Sequence, residues 1–219
     1  MNKELIIEKS INYVKETLNN SSSSHDWWHI YRVWNLAKQI SQNENSDLFI
    51  VELGALFHDI AEAKFYNGDE TIGPIKAKEF LTSLNIENNI IDHVIKIIEN
   101  ISFKNTFNDS QNQFKSIELD IVQDADRLDG MGAIGIARTF TFSGYKGNPI
   151  HDPNIKPNLN KTKDEYKHAD CTTINHFYEK LLLLKDKINT KTGKIMAEHR
   201  HRIMEEYLEE FYKEWEGRF

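Results

Sequence analysis

Apolar side chains recur at three- and four-residue intervals along almost the whole chain, and no segment shows the sustained alternation of a half-buried strand. Leu5, Ile6, Tyr13, Val14 and Leu18 fall at helical spacing, as do Ile90, Ile91, Val94, Ile95 and Ile98. This periodicity restricts the chain to an all-α fold in which amphipathic helices bury their apolar faces against one another.

Punctuation between the periodic stretches places the elements. Ser24 or Asp26 suits the cap of a helix over 27–41, and Asp47 the cap of a third helix running to about Lys64. Pro74 suits the first turn of a fourth, and a fifth spans about Glu87–Ile101. Residues 102–113 read as loop. Helix resumes near Phe114 and runs to Asp129, although Ile117–Val122 can be read either way. Another helix is expected over 131–142. The stretch from Ser143 to Asn160 holds two Gly and three Pro and reads as a long irregular segment, a lid or a disordered loop. Two last helices are expected over 162–187 and 191–216. In the second, Met196, His199, Ile203, Tyr207, Phe211 and Trp215 are spaced for one face.

A length of 219 residues suits one domain over 1–219, with two small ones as the alternative. The net charge of −7 argues against a binder of nucleic-acid polymers, which would show a basic stripe. A small anionic ligand stays compatible with it, because local charge and any bound cation decide that. The single cysteine, Cys171, leaves no intrachain disulfide and no thiolate cluster. The N-terminal residues have neither signal-peptide nor transit-peptide character, and no apolar run reaches membrane-spanning length. A cytoplasmic protein without membrane partners is the expectation.

Within Leu53-Gly-Ala-Leu-Phe-His-Asp-Ile-Ala-Glu62, an imidazole and a carboxylate stand side by side in an apolar run. Burying either is costly without compensation. A divalent metal ion compensates both, since neutral imidazole and carboxylate are its ordinary ligands. On a continuous helix, His58 and Asp59 would stand about 100° apart and Glu62 would fall on the same side. His-Asp pairs also arise by chance: His25-Asp26 and His151-Asp152 are two more in this chain. His29 upstream and Asp126 downstream extend the set to His…His-Asp…Asp, the residue types of metal-assisted phosphate hydrolysis.

Three segments carry a wider resemblance. His25-Asp-Trp-Trp-His29-Ile-Tyr-Arg32-Val33, then Phe57-His-Asp-Ile-Ala-Glu62-Ala-Lys64-Phe65, then Gln123-Asp-Ala-Asp126-Arg-Leu-Asp129 resemble the ordered signatures of the HD-domain metal-dependent phosphohydrolase superfamily. Their arrangement is similar to its small stand-alone bacterial (YedJ/YpgQ-like) branch. The core motifs lie within 25–138, and 161–216 would be a C-terminal helical extension. The resemblance implies an HD-domain helical bundle with His29, His58, Asp59 and Asp126 as metal ligands. It prefers Asp126 to Asp124, which reads as a solvated or capping carboxylate. Such a site suits one Mn²⁺, Mg²⁺, Fe²⁺, Co²⁺ or Ni²⁺ ion.

The implied activity is hydrolysis of a small-molecule nucleotide, favouring a triphosphate split into monophosphate and pyrophosphate through attack by metal-bound hydroxide. Glu62 resembles the residue that orients or deprotonates the attacking water, the alternative being a partner to a ligand histidine. Asp59 would act both as a ligand and in catalysis. Arg32 and Lys64 match phosphate-contacting positions, although Lys64 also reads as a helix C-terminal charge. His25 could touch substrate or cap the helix. Arg127, Arg138 and His93 are weaker candidates for phosphate or metal contact. Trp27, Trp28 and Trp34 suit core or rim better than a base-stacking platform.

Gly130-Met-Gly132-Ala-Ile-Gly135 matches a dinucleotide-binding pattern, but no strand precedes it, so close helix packing, or room left beside the metal, is the better reading. His199-Arg-His201-Arg reads as a solvated basic turn, or as a contact to phosphate or to the second subunit of a homodimer. The competing activities are a 5′-nucleotidase, a phosphodiesterase, a nucleotide-sensing module without turnover and, more remotely, a metal-dependent oxygenase.

Overall fold

The computed structural model describes residues 2–18, 26–61, 69, 71–101, 114–159 and 172–218. His25, Glu62, Lys64 and Cys171 lie outside the described residues. Among the described residues there is no strand. The helices are α1 Lys3–Leu18, α2 Trp27–Ser41, α3 Leu48–Phe57, α4 Ile72–Ser83, α5 Asn88–Asn100, α6 Ile117–Asp129, α7 Gly132–Lys146, α8 Thr173–Glu179 and α9 Lys191–Trp215, with a 3₁₀ helix at Leu181–Lys187. The all-α expectation holds, and Ile117–Val122 is helical. No described helix is long and apolar enough to cross a membrane.

The chain divides into two compact units, Met1–Asp126 with Asn189–Thr192, and Arg127–Ile188 with Gly193–Phe219. In the first, α3 is apolar nearly all round and packs against α1, α2 and α5. Its Val51, Leu53, Ala55, Leu56 and Phe57 are fully buried, each large side chain contributing about 1.5–3 kcal/mol. At Gly54 an added Cβ would sit 3.2 Å from Ile97 and 3.4 Å from Val122, so the missing side chain lets α3 approach its neighbours closely. Helix α2 is capped by Asp26, whose carboxylate accepts from the His29 N–H at 2.9 Å. Its Ile30, Val33, Ala37 and Ile40 form the buried stripe. Asp47 caps α3 in the same way through Phe49 N–H.

In the second unit, α7 starts at Gly132, whose φ of 67° favours glycine. A Cβ on Gly135 would lie 2.3 Å from the Gly130 carbonyl oxygen. The glycine triplet therefore serves a tight helix–helix turn, in agreement with the packing reading. Helix α7 runs four residues beyond the expected end and stops at Gly147 in the left-handed conformation. The irregular segment beyond it is held to α8. Thr173 and Ile174 N–H groups donate to the Pro149 and Ile150 carbonyls, and Asn175 Nδ2 donates to Ile155.

Helix α9 departs from expectation in its face. Gly193, Ala197, Met204 and Leu208 are buried, while His199 is exposed and Trp215 half exposed. The buried stripe thus runs one position round from the bulky residues of the pattern, of which Met196, Ile203, Tyr207 and Phe211 are half-buried. The basic cluster is helix rather than turn, and is solvated only at His199 and Arg202. It lies mid-helix, and Arg200 donates to the Leu128 carbonyl, with burial lowering its pKa and the Asp129 charge opposing that shift.

Candidate metal centre

The site residues lie in the first unit. Helix α2 turns His29 inward beside Ile30 and Val33, and the imidazole is 1 % exposed. The apolar helix α3 ends at Phe57, and His58 is its C-terminal cap residue, so the expected continuation to Lys64 does not occur through 58–61. The Ile60 N–H donates to the Phe57 carbonyl, closing a tighter turn there. His58 and Asp59 therefore reach the site from the end of a helix rather than from its side. Asp126 arrives from α6.

Four side chains converge. His29 Nε2 and His58 Nε2 are 3.3 Å apart. Asp59 Oδ2 lies 3.7 Å from His29 Nε2 and 3.8 Å from His58 Nε2, and Asp126 Oδ1 lies 3.5 Å from His29 Nε2. Donor atoms of His29, His58 and Asp126 all fall within 4.8 Å of one another. Two ligands at about 2.1 Å in adjacent positions around an ion would themselves stand about 3 Å apart, so this spacing fits a divalent cation.

The chemistry of the donors fits as well. His58 Nδ1 lies 2.8 Å from the Ala55 carbonyl oxygen. A carbonyl only accepts, so Nδ1 carries the proton and Nε2 presents a lone pair toward His29 and Asp59. Both imidazoles are buried, whereas the carboxylates are partly open to solvent, with Asp126 41 % exposed along its side chain. The arrangement has a dry histidine floor and a wet carboxylate rim.

Several other candidates are placed elsewhere. Asp124 is fully buried and accepts hydrogen bonds from Asn189 and Thr190, so it is neither solvated nor part of the donor cluster. His93 Nε2 pairs with Ser116 Oγ at 2.9 Å and faces Glu118, which makes it a satisfied helix histidine. Arg127 donates to the Lys187 carbonyl, and Arg138 is paired with Asp129. Arg32 is half-buried on α2, three residues past His29. Trp34 donates to Glu52, whose pKa burial raises, and Trp28 is 60 % exposed.

The HD domain family model matches residues 27–131. YpgQ of Bacillus subtilis (strain 168) is 37% identical over 205 residues, which cover 94% of this chain and 91% of YpgQ. Among solved structures, an HD-superfamily hydrolase from Bacillus thuringiensis superposes with a TM-score of 0.80 at 43% identity, covering 98% of this chain and 99% of that one. B. subtilis YpgQ, crystallised in complex with ADP, superposes at 0.76 with 35% identity, covering 98% and 97%. Sequence, fold and a histidine–carboxylate cluster agree, and the chain belongs to the HD domain family as a metal-dependent phosphohydrolase.

Proposed function

We propose that this protein hydrolyses nucleotides at one divalent ion held by His29, His58, Asp59 and Asp126, and that it splits a triphosphate at the α-phosphorus. The observation that carries this reading is the convergence of His29, His58 and Asp126 from α2, the end of α3 and α6, two of them buried imidazoles, with the Asp59 carboxylate 3.7 Å from His29. The ADP complex of YpgQ supports a nucleotide as the ligand class. An ion bound there would lower the pKa of a coordinated water and polarise a phosphoryl oxygen. Two neutral imidazoles and two carboxylates would balance a dication and leave the negative charge of the substrate to basic side chains. Arg32, on the helix of His29, would take that task.

In the proposed reaction, water adds to the α-phosphorus, the bond to the α–β bridging oxygen breaks, and pyrophosphate leaves with the bridging oxygen. By the resemblance, Glu62 would orient the attacking water or take its proton and Lys64 would add a phosphate contact, while His25 would touch substrate or cap its helix. Asp59 would hold its carboxylate at the rim, beside the water and against His29. The test is turnover of a nucleotide panel by the purified protein in Mn²⁺, with product analysis. Pyrophosphate is the expected product. Inorganic phosphate alone would indicate a 5′-nucleotidase, an opened diester a phosphodiesterase, and ligand-raised melting without turnover a sensing module. Full activity in His58→Ala would remove the site assignment.

A further inference from the structure

The carboxylate two residues before Asp126 has no place in the proposed chemistry, yet it is the more deeply buried of the two. Asp124 is 0 % exposed. Its Oδ1 accepts from Asn189 N at 2.8 Å and Asn189 Nδ2 at 3.1 Å. Its Oδ2 accepts from Thr190 N at 2.7 Å and Thr190 Oγ1 at 2.8 Å. Next to it, Gln123 donates to the Asn100 carbonyl and accepts from Asn189. Thr192 N–H donates to Glu44 at 2.9 Å. Residues 189–192, distant in sequence, thus belong to the compact unit that holds the histidines. They lie outside the stretch matched by the family model.

A buried carboxylate is an expensive way to join two segments unless its direction matters. Direction is what the helix supplies here. Residues two apart on α6 stand about 200° apart around its axis. Asp124 therefore grips one side of the helix while Asp126 leaves the other toward His29. If α6 turned by about 20°, a carboxylate some 5–6 Å from the axis would move by roughly 2 Å, far enough to leave a metal's coordination shell. Four directional hydrogen bonds on the opposite side resist that rotation.

We propose that Asp124, clasped by Asn189 and Thr190, is a positioning residue for the metal centre: it fixes the rotation of α6 and so the place of Asp126. The proposal rests on Asp126 being a ligand, as proposed above. The segment 189–190 is then a functional part of the site, although it never reaches the ion.

Calorimetric titration of the full-length protein with Mn²⁺, well below its melting temperature, tests the clasp without requiring turnover. Asp124→Asn keeps the shape but turns one of the two acceptor oxygens into a donor facing the donors of the clasp, and its Mn²⁺ dissociation constant is expected to rise about tenfold. Thr190→Val, which removes only the hydroxyl bond, is the milder variant should Asp124→Asn not fold; a severalfold rise is expected. Thr190→Ser is expected to restore wild-type affinity. Ile91→Val, a core truncation on α5, should lower the melting temperature and leave affinity unchanged. Wild-type Mn²⁺ affinity in both clasp variants, with only their melting temperatures lowered, would overturn the proposal and leave the metal centre standing. Wild-type affinity in Asp126→Ala or His58→Ala would instead overturn the metal centre, and the clasp's role with it.

Discussion

His58 Nδ1 donates to the carbonyl oxygen of Ala55, three residues upstream, at 2.8 Å. The bond uses a carbonyl that the end of α3 leaves unpaired, and it fixes the ring so that Nε2 faces His29. A ring held this way needs little reorganisation to accept an ion.

Metal binding should therefore appear as stability. At a free Mn²⁺ concentration about 100 times the dissociation constant, binding adds about 2.7 kcal/mol. For a chain of this size that raises the melting temperature by roughly 5–10 °C. Differential scanning calorimetry with and without EDTA checks it. His58→Ala is expected to abolish the shift.

Two glycines of α7 should respond oppositely to alanine. At Gly135 the new Cβ would meet the Gly130 carbonyl oxygen at 2.3 Å, a backbone atom that cannot swing away. Gly135→Ala is expected to cost about 2–4 kcal/mol. At Gly144 nothing lies within 4 Å, so Gly144→Ala is expected to be neutral or to stabilise by up to about 1 kcal/mol. Urea unfolding curves for both variants decide it, and a neutral Gly135→Ala would contradict the close packing at this turn.

The Arg138–Asp129 pair should show coupling. Asp129 is 1 % exposed and Arg138 is paired with it. Removing Arg138 takes a paired cation from a buried carboxylate, and Arg138→Ala is expected to cost about 2 kcal/mol. The Asp129→Asn/Arg138→Ala double variant should be more stable than the sum of the single losses implies. A double-mutant cycle in urea measures this, and strict additivity would mean that the pair is not coupled.

The Glu44 contact should weaken in acid. Hydrogen bonds from the Thr192 backbone and side chain hold its carboxyl below the ordinary 4.5, against a small opposing effect of burial. A depressed folded pKa adds stability that is present above the unfolded value and fades as pH falls through the folded one. The stability difference between wild type and Glu44→Gln is thus expected at neutral pH and should vanish in strong acid. Glu44 is largely solvated, so the difference should stay below about 1 kcal/mol. Denaturant melts across that pH range provide the check, and a difference that grows toward acid would reverse the sign argued here.

Much of the fold was legible because it depends on neighbours in the chain. Asp26 and Asp47 announce their helices since a cap bonds an N–H two or three residues away. The apolar spacing of α2 and α5 was likewise readable, each period being set by the local helix. The C-terminal boundary of α3 was not readable. Nothing in Phe57-His-Asp-Ile-Ala resists helix, and the chain leaves it where His58 turns to Ala55. The buried stripe of α9 was readable only to within one position, because bulky residues dominate a pattern and the buried Gly193 and Ala197 carry little weight in it. Arg200 looked like surface charge, and its carbonyl partner is 72 residues away.

The candidate donors follow the same division. Their identity was written in three short motifs, since imidazole and carboxylate declare their chemistry wherever they stand. Their convergence within a few ångströms was not, because His29 and Asp126 are far apart in the chain and meet only through the packing of separate helices. The separation of Asp124 from Asp126 is the sharpest case. Both are acids on one helix: the resemblance ranks Asp126 first, but nothing local in the sequence says where Asp124 goes. Helix rotation sends one to Asn189 and Thr190 and the other to the histidines.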